Sequence, residues 1–459
     1  MKALGSSCGF RPYPAALAIT LAGLLLAPAA HAQNMPRVRR TIATLASPAF
    51  HGRGYVREGE HKAARYLQQR FRQLGLQPLA PEYAQPFTLD INTFPGKLDL
   101  SLSLGMLRFP GLGSTRRLRV GQEFIAAPSS GSGKVGGPFS AVPILRFDTL
   151  AFTSTAAQQQ LLRHAWHGGG WVLRAVDEPR LATLPMPVRH HLDSAAIRLI
   201  LVPKLTASLA AEQASQLQLQ VLDSVWNRIP STASGPTVAL VTAQVEAVMR
   251  RQYHTQNVIG YLPGRLQPDS FLVVTAHYDH LGRMGKRTYF PGANDNASGM
   301  AMLLELAAHY ARPENRPACS LLFIAFGAEE AGLLGSRYFV EHPLVPLDRI
   351  RFLVNLDLLG TGEQGATVVN GRVFEPQYQQ LVQLNAAGHY LPALAARGRA
   401  ANSDHYYFSE RGVPSFFFYT RGGSSAYHDV ADRPEHLSLH GFIGLFNLLR
   451  DFLNQQGAR

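Results

Sequence analysis

The sequence predicts an α/β protein, with a mostly parallel central sheet between two layers of helices and a β-rich domain inserted into it. Three observations carry this. From residue 257 onward, near-continuous apolar runs ("NVIGYL", "SFLVVTAH", "SLLFIAF", "IRFLVNLD", "VPSFFFYT") alternate with segments of helical spacing. Such runs suit strands buried on both faces, and their alternation with helices implies an α/β/α stack. Between 95 and 245 the character changes to short alternating or apolar runs.

The elements follow in order. Lys2 and Arg11 precede "AALAITLAGLLLAPAAHA", and Ala30-His31-Ala32 has the small-x-small form of a signal-peptidase site. Residues 1–32 therefore read as a leader for export, to the periplasm or beyond, with the mature chain starting near Gln33 and no stable membrane insertion after cleavage. Residues 33–94 read as the first part of the main domain. Within them "TIATLASPAF" and "HKAARYLQQRFRQLGLQPL" read as helical: Ala64, Leu67, Phe71 and Leu74 recur at helical spacing, and Gly75 suits the cap. "HGRGY" between them is a loop. The 95–245 stretch supplies strand candidates "KLDLSLSL", "IRLILVP" and "LQLQVL". "SSGSGKVGG" (129–137) reads as a flexible loop. It is no P-loop, because Pro128 stands where the first Gly is required and Val135 follows the Lys. Residues 246–459 return to the main domain, with helices expected in "ASGMAMLLELAAHYA", "LGSRYFVEH", "PQYQQLVQLNAAGHY" and "LHGFIGLFNLLRDFLN".

Charge and cysteine content narrow the function. The formal charge is +13, of which Lys2 and Arg11 account for two, leaving +11 after cleavage. The densest basic patch, "STRRLR" (114–119), is short and lacks interleaved aromatics, so nucleic-acid binding is not expected. A solvated basic surface is the plainer reading. Cys8 leaves with the leader and Cys319 remains alone, so a large core rather than disulfides must supply stability.

In open α/β sheets, sites form beyond the carboxyl ends of strands. Here five successive segments end in a group able to hold a metal. They are His277 after "FLVVTA", Asp295 in "PGANDNASG", Glu329 and Glu330 after "FIAFGA", Asp357 in "FLVNLD", and His428 after "FFFYTRGGSSAY". Each alone has a plainer reading: a hydrogen-bonded loop His, a capped turn, or acids at a helix start. Asp357 within an apolar run is harder to explain so, because a buried carboxylate needs a partner. Together they suit a pair of divalent cations, and the imidazoles favour Zn²⁺ over Mg²⁺ or Ca²⁺. Two zinc ions sharing a carboxylate can polarise a carbonyl and generate hydroxide from a bridging water. One acid must then stay off the metal as the base, which gives the adjacent glutamates separate tasks. Asp279, two residues beyond His277, can fix the imidazole tautomer.

These residues resemble a known family. "TAHYDHLG", "PGANDNASGMAMLLELA", "FIAFGAEEAGLLGSRYFV", "NLDLLG" and "YHDVADRPEHL" look like the signature blocks of the co-catalytic di-zinc aminopeptidases, relatives of glutamate carboxypeptidases and glutaminyl cyclases. The resemblance covers 257–459 closely and 38–90 less specifically. It implies a zinc-peptidase fold and two Zn²⁺ per chain. Asp295 would bridge them, through an Asp295–Asn296 peptide that is usually cis in this family. His277 and Asp357 would complete one zinc, Glu330 and His428 the other. Glu329 resembles the general base, Tyr427 an oxyanion-stabilising tyrosine, and Asp404 of "NSDHYYF" a residue on the substrate side. The 95–245 insert is similar in position to a protease-associated domain.

The expected activity is exopeptidase hydrolysis of peptides, most simply from the amino end. The alternatives on this scaffold are a carboxypeptidase, a glutaminyl cyclase, or a non-catalytic peptide-binding receptor. The complete ligand set argues against the last two. The lone G-x-S-x-G, "GSSCG" (5–9), falls in the leader, and H-E-x-x-H is absent, so serine-hydrolase and zincin chemistries are not expected. Arg399, Arg411 and Arg421 are the candidate cations for a substrate carboxylate.

Overall fold

The structure is a computed structural model. It describes residues 34–104, 114–137, 140–228 and 237–458, with isolated positions 1, 5 and 9, so most of the expected leader lies outside the described residues. Among the described residues no helix is long and apolar enough to cross a membrane.

The main sheet is assembled from β1 (Ala84–Thr93), β2 (Val248–Leu262), β3 (Gln267–His277), β4 (Cys319–Phe326), β5 (Ile350–Leu356), β6 (Ala366–Val369) and β7 (Ser415–Thr420). Short edge strands at Gln77–Pro78 and Leu394–Ala396 complete it. The spatial order is β2-β4-β3-β5-β7-β6, with β1 also on β2. The central four, β4-β3-β5-β7, are parallel. The flanks are antiparallel: β2 against β4 and β1, β6 against β7. The expected parallel character thus holds at the centre of a mixed sheet.

Period-2 alternation explains why those apolar runs are continuous. Leu272, Val274 and Ala276 of β3, with Leu321, Phe323 and Ala325 of β4, enter one core. Val273 of β3, with Leu322, Ile324 and Phe326 of β4, enter another on the opposite face. Helices Met35–Leu45, Gly59–Gln73, Gly299–Tyr310 and Phe442–Gly457 cover the first face. Leu334–Glu341 and His405–Glu410 cover the second through Phe339 and Phe408. This is the three-layer α/β/α arrangement. Gly75, at φ +74, follows helix Gly59–Gln73 in the left-handed conformation expected past a helix end.

The described residues between 98 and 245 form a second nine-stranded sheet. Four of its strands, Val142–Arg146, Gly170–Arg174, Ile197–Val202 and Leu217–Leu222, are parallel neighbours. Helices Thr155–Leu162 and Met186–Asp193 connect them, so the segment is α/β as well as rich in strands. At eight residues each, these helices are too short for their periodicity to stand out in sequence. Gly133–Val135, read as loop, pairs with Thr237–Val245. The segment leaves the main sheet after β1 and returns as β2, where Thr93 and Val248 face each other. The described residues from 34 to 458 pack as one unit, and part of the join is apolar: Leu281, Met284 and Phe290, from the loop after β3, lie in the second sheet's core.

Candidate metal centre

The parallel strands deliver their ends to one place. β3 ends at His277, β5 stops one residue before Asp357, and β4 stops three before Glu329. The glutamates lie in a tight turn ahead of helix Leu334–Glu341 rather than in its first turn. There Ala328 and Leu333 have positive φ, and the Glu329 carbonyl accepts from Gly332 and Leu333. Asp295 lies in an irregular turn before helix Gly299–Tyr310, and the Asp295–Asn296 peptide is cis. His428 follows β7 with φ +56.

All five predicted ligands converge, with Asp295 at the centre. Its Oδ1 is 3.4 Å from His277 Nε2 and its Oδ2 is 3.2 Å from His428 Nε2. His277 Nε2 is 3.4 Å from Asp357 Oδ1 and 3.9 Å from Glu329 Oε2. His428 Nε2 is 3.0 Å from Glu330 Oε2. Zinc–donor bonds of about 2.0–2.1 Å in a tetrahedron put donors roughly 3.3 Å apart, so these spacings match ligands around an ion. His277, Glu329 and Asp357 form one donor group, and His280, Asp295 and Glu330 another. The Asp357 Oδ1 atom is buried, with His277 Nε2 3.4 Å away and no well-formed hydrogen bond, which suits an oxygen that would bind a cation.

Electrostatics point the same way. Burial alone would lower the pKa of His277, yet Glu329 and Asp357 hold it well above its ordinary value. Burial is likewise outweighed at His428, which Glu330 and Asp295 raise to about 11. Carboxylates in this excess call for positive charge. The two adjacent glutamates are driven apart. Desolvation raises Glu329 well above the usual carboxylate range. At Glu330 the same burial is overcome by His280 and His428, which hold it well below that range. The two neighbours thus differ in proton affinity, Glu329 the more basic.

Asp279 is buried beside His277, but its carboxylate does a different task from the expected one. The His277 Nδ1 partner is the Asp279 backbone carbonyl at 3.2 Å, with the carboxylate at 3.8 Å. That carboxylate accepts instead from the backbone N–H of Glu329 (3.1 Å) and Glu330 (3.3 Å) and from the Tyr55 hydroxyl (3.3 Å). It fixes the turn that carries both glutamates. Desolvation pushes its pKa up to about 7. Tyr427 stacks on His428 at 3.8 Å between ring centroids and lines a cavity of about 220 Å³ over the centre. Asp404 is fully buried and lies outside that cavity's lining. Its charge acts on Glu329, and desolvation raises its own pKa to about 7.

Four further residues shape the site. His280 Nδ1 bonds Glu330 Oε1 at 2.6 Å, so Glu330 is held at both oxygens. Asp432 accepts from the backbone N–H of Asn294 and Asp295. Arg397, not Arg399, Arg411 or Arg421, lines the cavity, with Phe417, Tyr419, Asn402 and Leu358. Arg399 pairs with Glu410, and Arg421 donates to the Gln364 carbonyl. Arg53, in the "HGRGY" loop, is fully buried and donates to the carbonyls of Leu45, Tyr278, Pro291, Gly292 and Asp295. Its glycine neighbours permit this. A Cβ on Gly54 would meet Gly282 Cα at 2.4 Å, and one on Gly52 the Gly282 carbonyl at the same distance. Glycines flanking an arginine were the available signal. Arg53→Met should cost at least about 3 kcal/mol in urea unfolding, because buried carbonyls lose their donors. A loss below about 1 kcal/mol would show that they find partners elsewhere.

A three-layer α/β/α sheet with a histidine–carboxylate cluster beyond its parallel strand ends defines an α/β scaffold with a candidate metal centre. Residues 257–453 match the model of Peptidase family M28, so the family resemblance read from the signature blocks holds for that part of the chain. Among curated proteins the chain is 34% identical over 212 residues to the aminopeptidase YwaD of Bacillus subtilis, covering 43% of this chain and 45% of that one. It is 33% identical over 159 residues to leupeptin-inactivating enzyme 1 of Streptomyces exfoliatus, covering 34% of each. The matched stretch spans less than half the length of these relatives. Among solved structures, a zinc aminopeptidase from Bacillus subtilis superposes with a TM-score of 0.63 at 20% identity, covering 92% of this chain and 95% of that one. An aminopeptidase from Aneurinibacillus sp. strain AM-1 gives 0.61 at 19%, covering 92% and 94%. Both share the fold across nearly the whole chain, the 98–245 segment included.

Proposed function

We propose that this chain is an exported, zinc-dependent exopeptidase that removes N-terminal residues from peptides. The observation that carries the reading is the position of Asp295, one oxygen facing each histidine-centred cluster. Two zinc ions, one at His277 and Asp357 and one at Glu330 and His428, with Asp295 shared, would supply Lewis-acid polarisation of the scissile carbonyl and an activated water. The chain's own groups do the rest. Glu329, with its raised proton affinity, takes the proton of the attacking water and returns it to the leaving amine. Tyr427, in the cavity lining beside His428, donates to the developing oxyanion. Asp279 holds the turn that sets the distance between Glu329 and Glu330. Export rests on the charged and apolar N-terminal run.

The test is loss and recovery. Chelator-treated protein should lose activity on aminoacyl-anilides and regain it with zinc, and N-acetylated peptides should stay uncut. Unchanged turnover in zinc-free protein would overturn the assignment. One observation favours a second reading: the Arg397 guanidinium in the cavity wall could hold a terminal carboxylate. A peptide-library digest read by mass spectrometry separates the two by which end is trimmed.

A further inference from the structure

The two halves of the centre are supported from different places. The His277 half is self-contained, since the Nδ1 partner is the nearby Asp279 carbonyl. The His428 half is not. His428 Nδ1 lies 2.8 Å from the carbonyl of Ala207, which belongs to the 98–245 segment. A carbonyl only accepts, so Nδ1 carries a proton, and Nε2, which faces Asp295 and Glu330, is the nitrogen that would bind a metal. The Ala207 N–H in turn donates to the His428 carbonyl at 3.2 Å, closing a reciprocal pair. Lys204 Nζ, in the same loop, caps the carbonyls of Ser425 at 2.5 Å and Tyr427 at 3.3 Å. Four hydrogen bonds from one loop therefore clamp residues 425–428, where His428 itself sits at a positive φ. The loop carrying His280, the other imidazole on Glu330, is anchored in the same segment: Leu281, Met284 and Phe290 are part of its core, and the Ala126 N–H donates to Met284 Sδ.

We infer that the 98–245 segment is a working part of the metal centre, with the 204–207 loop positioning His428 and Tyr427 for the second zinc while leaving the first unaffected. This rests on the two-zinc reading above. It gives the segment a role in assembling the site, beyond any contact with substrate. Ala207 and Lys204 are positioning residues that act through His428 and Tyr427.

The experiment is zinc titration of the full chain against a competing chelator, comparing the parent with Ala207→Pro, Lys204→Met and Lys204→Arg. His428→Ala serves as the benchmark for loss of one zinc, and Arg180→Ala, an exposed arginine paired with half-buried Asp177 in the same segment, as the control. Ala207→Pro removes the N–H that donates to the His428 carbonyl. The expected result is one zinc at parental affinity and one weakened about 10- to 100-fold, the range that outer-shell changes produce. Lys204→Met should weaken the same zinc several-fold and Lys204→Arg should restore it, with Arg180→Ala unchanged. If Ala207→Pro lowers the thermal midpoint, Lys204→Met, at an exposed side chain, carries the test. A parent that binds no zinc overturns the proposed function. A parent that binds two, with both loop variants either retaining both at parental affinity or weakening both equally, overturns this inference alone.

Discussion

Asp295→Asn should abolish stable zinc binding at both halves of the centre and, with it, peptidase activity. Each oxygen of Asp295 serves one histidine-centred cluster, and asparagine offers a single neutral oxygen in place of a shared anion. The loss should exceed the roughly 10- to 100-fold that changes outside the ligand shell produce. The backbone around residue 295 should stay in place. It is held by Asp432, through the N–H groups of Asn294 and Asp295, and by Arg53, through the Asp295 carbonyl. None of these bonds uses the side chain being changed. Elemental analysis after desalting is the measurement. A variant that retains two zinc ions would remove Asp295 from its central role. Glu330→Gln, by contrast, touches only the His428 half and should leave about one zinc bound.

Glu329→Gln should leave zinc content unchanged and lower kcat by about 10²- to 10⁴-fold, the usual contribution of a positioned general base. Glutamine preserves the shape but cannot take up a proton. Glu329 approaches His277 less closely than Asp295 or Asp357 do, at 3.9 Å against 3.4 Å, which fits a group outside the ligand set. Parental turnover in the zinc-loaded variant would sink the assignment. A fall in zinc content would instead make Glu329 a ligand. The KM should change little, because the proton transfer develops in the transition state.

What the sequence made legible depends on the kind of interaction. Strands buried on both faces leave continuous apolar runs, and groups that meet a cation must be His, Asp or Glu, so both could be read from residue types at strand ends. Bonds to the backbone leave no such trace. The Asp279 carboxylate was expected beside the His277 imidazole, yet the backbone N–H groups of Glu329 and Glu330 claim it, and every residue but proline carries an N–H. Ala207 holds His428 by a carbonyl that any residue would offer. His280 was visible in "HYDHLG" but undecidable there, because its role depends on how the chain turns after β3. Arg397 and Arg399, two positions apart, look alike in the sequence, because only the fold decides which guanidinium faces the cavity. The short helices of the second sheet were hidden by their length.

The ladder between β1 and β2 has a consequence for how such a chain can change over generations. Thr93 and Val248 are 155 positions apart in sequence, yet the Thr93 hydroxyl donates to the Val248 carbonyl at 2.8 Å. Everything between them leaves and re-enters through a single hairpin mouth. Genetic exchange or deletion at this mouth could replace the whole excursion with a tight turn and leave the main sheet's strand order intact. Modularity of architecture would then part company with modularity of chemistry. A shortened descendant would inherit the strands and His277, but would have to evolve a new carbonyl for His428.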